Sequence, residues 1–254
     1  MRRVSLVGFA LVLLVIGAGC LGTGGAPDRS DSAERKLAAL NSSIQDTSTY
    51  QVRTDLRATA VADGEQLSRE ATIVGVVNAT QKRSKTTLSM AGENRTVYRD
   101  NRTIYRECES PWGWANETVG AEGPWIQQTT LSRHAELLQS GDLRVEQTDR
   151  LAGENAVALV GEPTSEALQK YREEGTRSVV GGSKIENVTV RLVLDNETDR
   201  PLRGSMSFEV RQDGVTATVS MDTQFSNYDD PVRITIPEKV TDGTVEWSGG
   251  CPGS

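Results

Sequence analysis

Chemistry in this 254-residue chain has to be built from few reactive side chains: one histidine, His134, and three cysteines, Cys20, Cys108 and Cys251. His134 lies beside Leu131, Ala135, Leu137 and Leu138 in a short stretch of helical periodicity. It therefore reads as a helix-flank residue and not as the base of a nucleophile–histidine–acid triad. There is no Gly-x-Ser-x-Gly elbow, no phosphate-cradling glycine loop and no dinucleotide fingerprint; Gly181-Gly182-Ser183 falls between a helical and a strand-like stretch and reads as a turn. One histidine and two distant cysteines do not have zinc-site spacing. In an acidic chain, Asp222, Asp229 and Asp230 read as a solvated turn before they read as a cation site. The pattern predicts a protein that is not an enzyme, with no metal and no cofactor.

The cysteines point to export. Arg2 and Arg3 precede an apolar run from Leu6 to Ile16, and Gly17-Ala18-Gly19 lead into Cys20. A run of about eleven residues is shorter than the roughly twenty that a membrane-spanning helix needs, so residues 1–19 are predicted to be a cleaved signal peptide. The arrangement resembles the lipobox of secreted lipoproteins, with Gly17 standing where such boxes usually carry leucine. That resemblance implies a lipidated Cys20 that ties the protein to the outside of the cell membrane. Cys108 and Cys251 are then left together in an oxidising compartment, where a disulfide is expected.

Seven of the nine asparagines begin an Asn-x-Ser/Thr sequon: Asn41, Asn78, Asn94, Asn101, Asn116, Asn187 and Asn196. They predict N-glycosylation at solvent-facing sites; threonine-rich turns that create sequons by accident are the alternative. With 35 acidic against 28 basic residues, nucleic acid is a poor partner. Only six of the basic residues are lysine. An acidic, lysine-poor, threonine-rich surface resembles proteins of extreme halophiles, and a high-GC genome would trade lysine for arginine in the same way.

The elements that would position these residues follow from hydrophobic period. Residues 20–31 form a glycine-rich tether carrying Pro27. Leu37, Ala38, Leu40 and Ile44 predict a helix over 32–45, capped at Asp31 or Ser32. From Tyr50 the period becomes two, with Val52, Leu56, Ala58, Ala60 and Ala62 on one face. Strands are predicted at 50–62, 66–77, 82–90, 96–99 and 103–107, an antiparallel meander. Residues 109–128 read as irregular and are followed by a helix near 129–139 and strands near 143–149 and 155–161. Pro163 opens a second amphipathic helix with Leu168 and Tyr171 on one side. Strands containing Val188–Leu194, Met206–Val210 and Val215–Met221 come next, and Val232–Ile236 and 240–247 are expected to add further strands.

This order, with the Thr96-Val97-Tyr98-Arg99 and Thr103-Ile104-Tyr105-Arg106 hairpin and the closing Phe225-Ser226-Asn227-Tyr228-Asp229-Asp230-Pro231-Val232 segment, resembles the LolA/LppX-like lipoproteins, including similar haloarchaeal surface lipoproteins. The resemblance implies one domain over 32–247, followed by a tail over 248–254. Its fold class would be mainly β with α (α+β): a curved antiparallel half-barrel of ten or eleven strands with two or three helices over the concave face. It also implies a lipid or other apolar ligand. No ligand residue transfers by motif, so strand parity nominates the lining: Leu56, Ile73, Val190, Leu192, Phe208 and Val219, with small residues such as Ala58, Ala60, Ala62 and Gly75 leaving space. Trp112, Trp114 and Trp125 would line the mouth of such a cavity, or cap the sheet as ordinary core. Two functions stay open. One is a membrane-anchored carrier of an apolar ligand; the other is a glycosylated surface protein with a filled core that binds another envelope protein.

Overall fold

The computed structural model describes residues 29–62, 65–109, 113–120, 124–147, 155–164, 166–168, 184–212, 215–241, 245–248 and 251. The expected signal peptide, Cys20, nearly all of the tether, Trp112 and Tyr171 lie outside the described residues.

The first helix, α1 (Asp31–Asp46), starts where Ser30 Oγ accepts a hydrogen bond from the Ala33 backbone N–H, with Asp31 and Glu34 in the first turn to complement the helix dipole. Its buried residues, Ala33, Leu37, Leu40 and Ile44, recur every three or four positions and make one stripe. Six strands follow: β1 (Thr49–Ala62), β2 (Glu65–Asn78), β3 (Arg83–Met90), β4 (Glu93–Asp100), β5 (Thr103–Glu107) and β6 (Trp114–Thr118). A 3-10 turn (Trp125–Gln128) and α2 (Thr130–Gln139) lead to β7 (Asp142–Gln147) and β8 (Ala156–Glu162). Then come β9 (Lys184–Asp195), β10 (Pro201–Gln212), β11 (Val215–Ser226), the short helix α3 (Glu238–Thr241) and β12 (Val245–Ser248).

Among the described residues these strands form one open twelve-stranded sheet in the order β12-β6-β5-β4-β3-β2-β1-β11-β10-β9-β8-β7. Every neighbouring pair is antiparallel except β12 with β6. The β1–β11 pair joins two meanders, and its register aligns Val52 with Phe225, Thr54 with Thr223 and Leu56 with Met221. Alternation, interrupted at the register shifts between β9 and β10, then gives the sheet one inner and one outer face. On the inner face, Tyr50, Val52, Val77, Leu159, Val190, Leu192, Leu194 and Met206 form a core with the buried stripes of α1 and α2. On the outer face, Arg53 pairs with Asp55, Arg57 with Glu70 and Arg203 with Asp222. Such exposed pairs contribute little stability individually, but they mark this part of the outer face as water-facing; at β8 and β9 the outer-facing Ala158, Val160 and Val193 are instead buried in a second, small apolar cluster.

Three expectations needed correction. Residues 114–118 are a strand, because Trp114 to Thr118 complete a ladder with β5 that the dense Pro and Trp content around them obscured. Val232–Ile236 is not a strand. Side chains hold it instead: Asn78 Nδ2 donates to the Val232 carbonyl, the Ile234 N–H donates to Gln81 Oε1, and Arg83 donates to the Ile234 carbonyl. Residues 240–247 divide between the end of α3 and β12, and β12 pairs parallel to β6.

A bulge in β9 explains a change of parity that simple alternation does not give. Opposite Ser207 and Glu209 the β9 partners jump from Thr189 to Glu186. Asn187 lies at that jump with a left-handed φ of 55°, a conformation asparagine tolerates better than most residues. Its side-chain amide donates to Glu209.

Candidate functional site

The inner face has two zones. In the first, α1 and α2 lie over β7, β8 and β9, and the space between them is filled. Val190 and Leu192, nominated as cavity lining, are 0 % exposed and belong to the core. Nor does Gly75 leave room, since a Cβ there would lie 2.8 Å from Val52 Cγ1. Helix packing has taken up the volume over Val190 and Leu192, and the Val52 side chain of the neighbouring strand has taken up that at Gly75.

The second zone lies toward the β1–β2, β3–β4 and β10–β11 turns. Here Leu56, Ile73, Leu88, Phe208, Val219 and Met221 are half-buried. Register places them side by side: Ile73 opposite Leu88, Leu56 opposite Met221, and Phe208 opposite Val219. Ala58 and Ala60 of β1 and Ala71 of β2 continue the same apolar face. At its rim Leu67 is 57 % exposed and Met90 43 %. Four of the nominated residues, Leu56, Ile73, Phe208 and Val219, are therefore brought together on a half-exposed apolar strip of the inner face. Ala62's side chain lies outside the described residues.

The tryptophans divide. Trp114 is on the outer face, its ring centroid 5.8 Å from that of Tyr98, and so does not border the strip. The alternation of β6, not recognised as a strand in the sequence, sends it there. Trp125 is buried in the 3-10 turn, where its indole N–H donates to the Asn101 carbonyl at 3.1 Å and the Arg99 guanidinium lies 5.3 Å from its ring. It closes the β4–β5 end of the sheet as core.

At that same end of the sheet, an open cleft of about 430 Å³ is bordered by Ser48, Asn78, Thr80, Asp229, Asp230 and Arg233. Burial alone would raise the Asp229 pKa, but hydrogen bonds from the Ser48 N–H and hydroxyl and the nearby Arg200 hold it below the usual carboxylate range. Of the three aspartates read as a solvated turn, Asp222 lies instead within β11, where it pairs with Arg203 on the outer face, while Asp229 and Asp230 follow the strand and Asp229 pairs with Arg200. Among the described residues no group of three His, Cys, Asp or Glu side chains converges.

Two buried polar atoms escaped sequence reasoning: His134 Nε2, which has no hydrogen-bond partner among the described residues, and Tyr50 Oη, which lies against Thr129 and Leu131. Both rings flank Phe225, at centroid distances of 6.2 and 5.9 Å. Burial pushes the Tyr50 hydroxyl up to about 12. His134 is lowered by burial, against the opposing effect of its Nδ1 contact with the Thr130 carbonyl at 2.9 Å.

Of the sequon asparagines, Asn94, Asn101, Asn187 and Asn196 are exposed, and Asn41 and Asn116 are half-buried. Asn78 does not face solvent. It is 6 % exposed, and its amide is committed at both ends, Nδ2 to the Val232 carbonyl and Oδ1 to the Gln81 N–H. Cys108 and Cys251 form a disulfide with Cα atoms 5.5 Å apart, beside the β6–β12 edge.

Residues 125–245 match a family described as a family of unknown function, DUF6612. No curated protein matches the sequence. Among solved structures the chain is similar to an uncharacterized conserved protein from Thermus thermophilus, at 12% identity over 82% of this chain and 91% of that one, with a TM-score of 0.39. It is also similar to a domain assigned to outer membrane lipoprotein sorting from Vibrio parahaemolyticus, at 9% identity over 84% and 99% of the two chains, TM-score 0.33. A LolA superfamily protein from Nitrosomonas europaea gives 11% identity over 82% and 96%, TM-score 0.27.

Proposed function

We propose that this chain is a membrane-anchored extracytoplasmic lipoprotein that binds a lipid or other apolar ligand on the strip formed by Leu56, Ile73, Phe208 and Val219. The observation that carries the reading is that the inward apolar parity of β1, β10 and β11, with Ile73 and Ala71 of β2 and Leu88 of β3, continues past the helices, interrupted on β2 by Arg69. A contiguous apolar surface with an exposed rim is the kind that a ligand covers. The disulfide and the signal-like segment ending at Cys20 support a place outside the cytoplasm, with Cys20 as the lipid anchor.

Solvent extraction of the full chain purified from its host membrane, followed by mass spectrometry, tests the reading. The expected result is a stoichiometric lipid that is lost in an Ile73→Asp variant with an unchanged thermal midpoint. Wild-type protein free of lipid overturns it. Cys20→Ser is expected to release the protein to the medium or leave its precursor unprocessed.

The dense packing beneath α1 and α2 favours a second reading, a glycosylated surface protein that docks another envelope protein. In that case Ile73→Asp abolishes capture of the partner and changes no lipid content.

A further inference from the structure

We infer that the ligand of this strip is a long-chain anionic amphiphile, its charged head held by Arg69. This rests on the apolar-ligand reading of the same site. Arg69 lies on the inner face of β2, opposite Ala58 and between Leu67 and Ala71 along the strand. β3 ends at Met90, opposite Ala71, so beside Arg69 the sheet has no strand on that flank and the guanidinium has room around it. The side chain is exposed and has no carboxylate partner among the described residues. Its outer-face counterparts Arg53, Arg57 and Arg203 each have one.

The other charges on or near this part of the inner face do not neutralise it. Arg95 is taken by Glu93 and Glu109, and Glu65 stands four residues farther along β2 toward the hairpin tip. A free guanidinium with apolar side chains on three sides is complementary to a carboxylate or phosphodiester joined to an alkyl chain. The chain carries a formal charge of -7. Free small anions gain nothing from that field, and only an anion whose tail also covers the strip is retained.

The experiment titrates the full chain with cis-parinaric acid and with its methyl ester, following the polyene fluorescence, in wild type, Arg69→Gln and Ile73→Asp. The expected result is an acid-over-ester preference of about fivefold in wild type, the scale of one partly desolvated ion pair. Arg69→Gln is expected to remove that preference while leaving ester affinity unchanged, and butyrate is not expected to compete. Equal binding of acid and ester by wild type, or a preference that survives Arg69→Gln, overturns the assignment of Arg69 and leaves the apolar strip standing. Loss of neither probe in Ile73→Asp, or no binding to wild type at all, overturns both. Association with phosphatidylglycerol vesicles without binding of the free acid would mark a membrane-docking surface and would also overturn it.

Discussion

His134 of α2 rests against Gly204 of β10: a Cβ on Gly204 would lie 3.1 Å from His134 Cδ2 and 3.2 Å from Nε2. The missing side chain lets the helix approach the sheet. Gly204→Val would force the imidazole and the nearby Leu192 Cδ1 to move, and a destabilisation of about 1–3 kcal/mol is expected from such overpacking. Urea unfolding checks this, and His134→Ala in the same background is expected to recover part of the loss.

Because the chain has one histidine, its titration can be isolated. Burial lowers the folded-state pKa of His134, so between that value and the ordinary value of about 6.5 the unfolded chain holds the proton and the folded chain does not. The contribution is complete above about pH 6.5 and is lost as pH falls toward the folded value. The thermal midpoint is therefore expected to drop between about pH 7.5 and pH 5, and His134→Leu to flatten that interval. Asp55, Asp195 and Asp229, whose pKa values are lowered, produce their own loss at more acidic pH.

Asn78 separates two roles that its sequon confuses. Both ends of its amide are hydrogen-bonded in a buried setting, so Asn78→Ala is expected to cost about 1–3 kcal/mol by leaving the Val232 carbonyl and the Gln81 N–H unpaired. Peptide mapping of the native protein is expected to find Asn78 unmodified, with any glycan on exposed sites such as Asn94 or Asn196.

The Cys108–Cys251 bond spans a sequence separation of 143 residues. Chain-entropy arguments put its stabilisation at about 5 kcal/mol as an upper figure. Cys251→Ser is expected to lower the urea midpoint and to expose the segment after α3 to limited proteolysis, since β12 adds only four residues to the sheet edge.

The strands were legible where alternation was long. β1, β10 and β11 expose one polar and one apolar face over at least twelve residues, and the inward side of each could be read before any fold was known. β6 was not, because five residues flanked by proline, glycine and tryptophan carry too little period to stand out. Val232–Ile236 misled in the opposite direction. Its alternating apolar residues suit a strand, but the partners that satisfy its backbone are side chains of the β2–β3 turn, which no local pattern announces.

Sequence by itself determined the two faces of the sheet, the helical stripes and the supply of thiols and sequons, because these depend on periods of two and 3.6 and on residue type. Only the tertiary structure decided which part of the apolar face is core and which stays half-exposed. Parity tells a side chain which way to point, whereas helix placement decides what it meets there. Val190 and Leu192 share the parity of Phe208 and Val219. The first two lie under α2 and are sealed; the second two lie beyond it, and there the apolar face stays half-exposed.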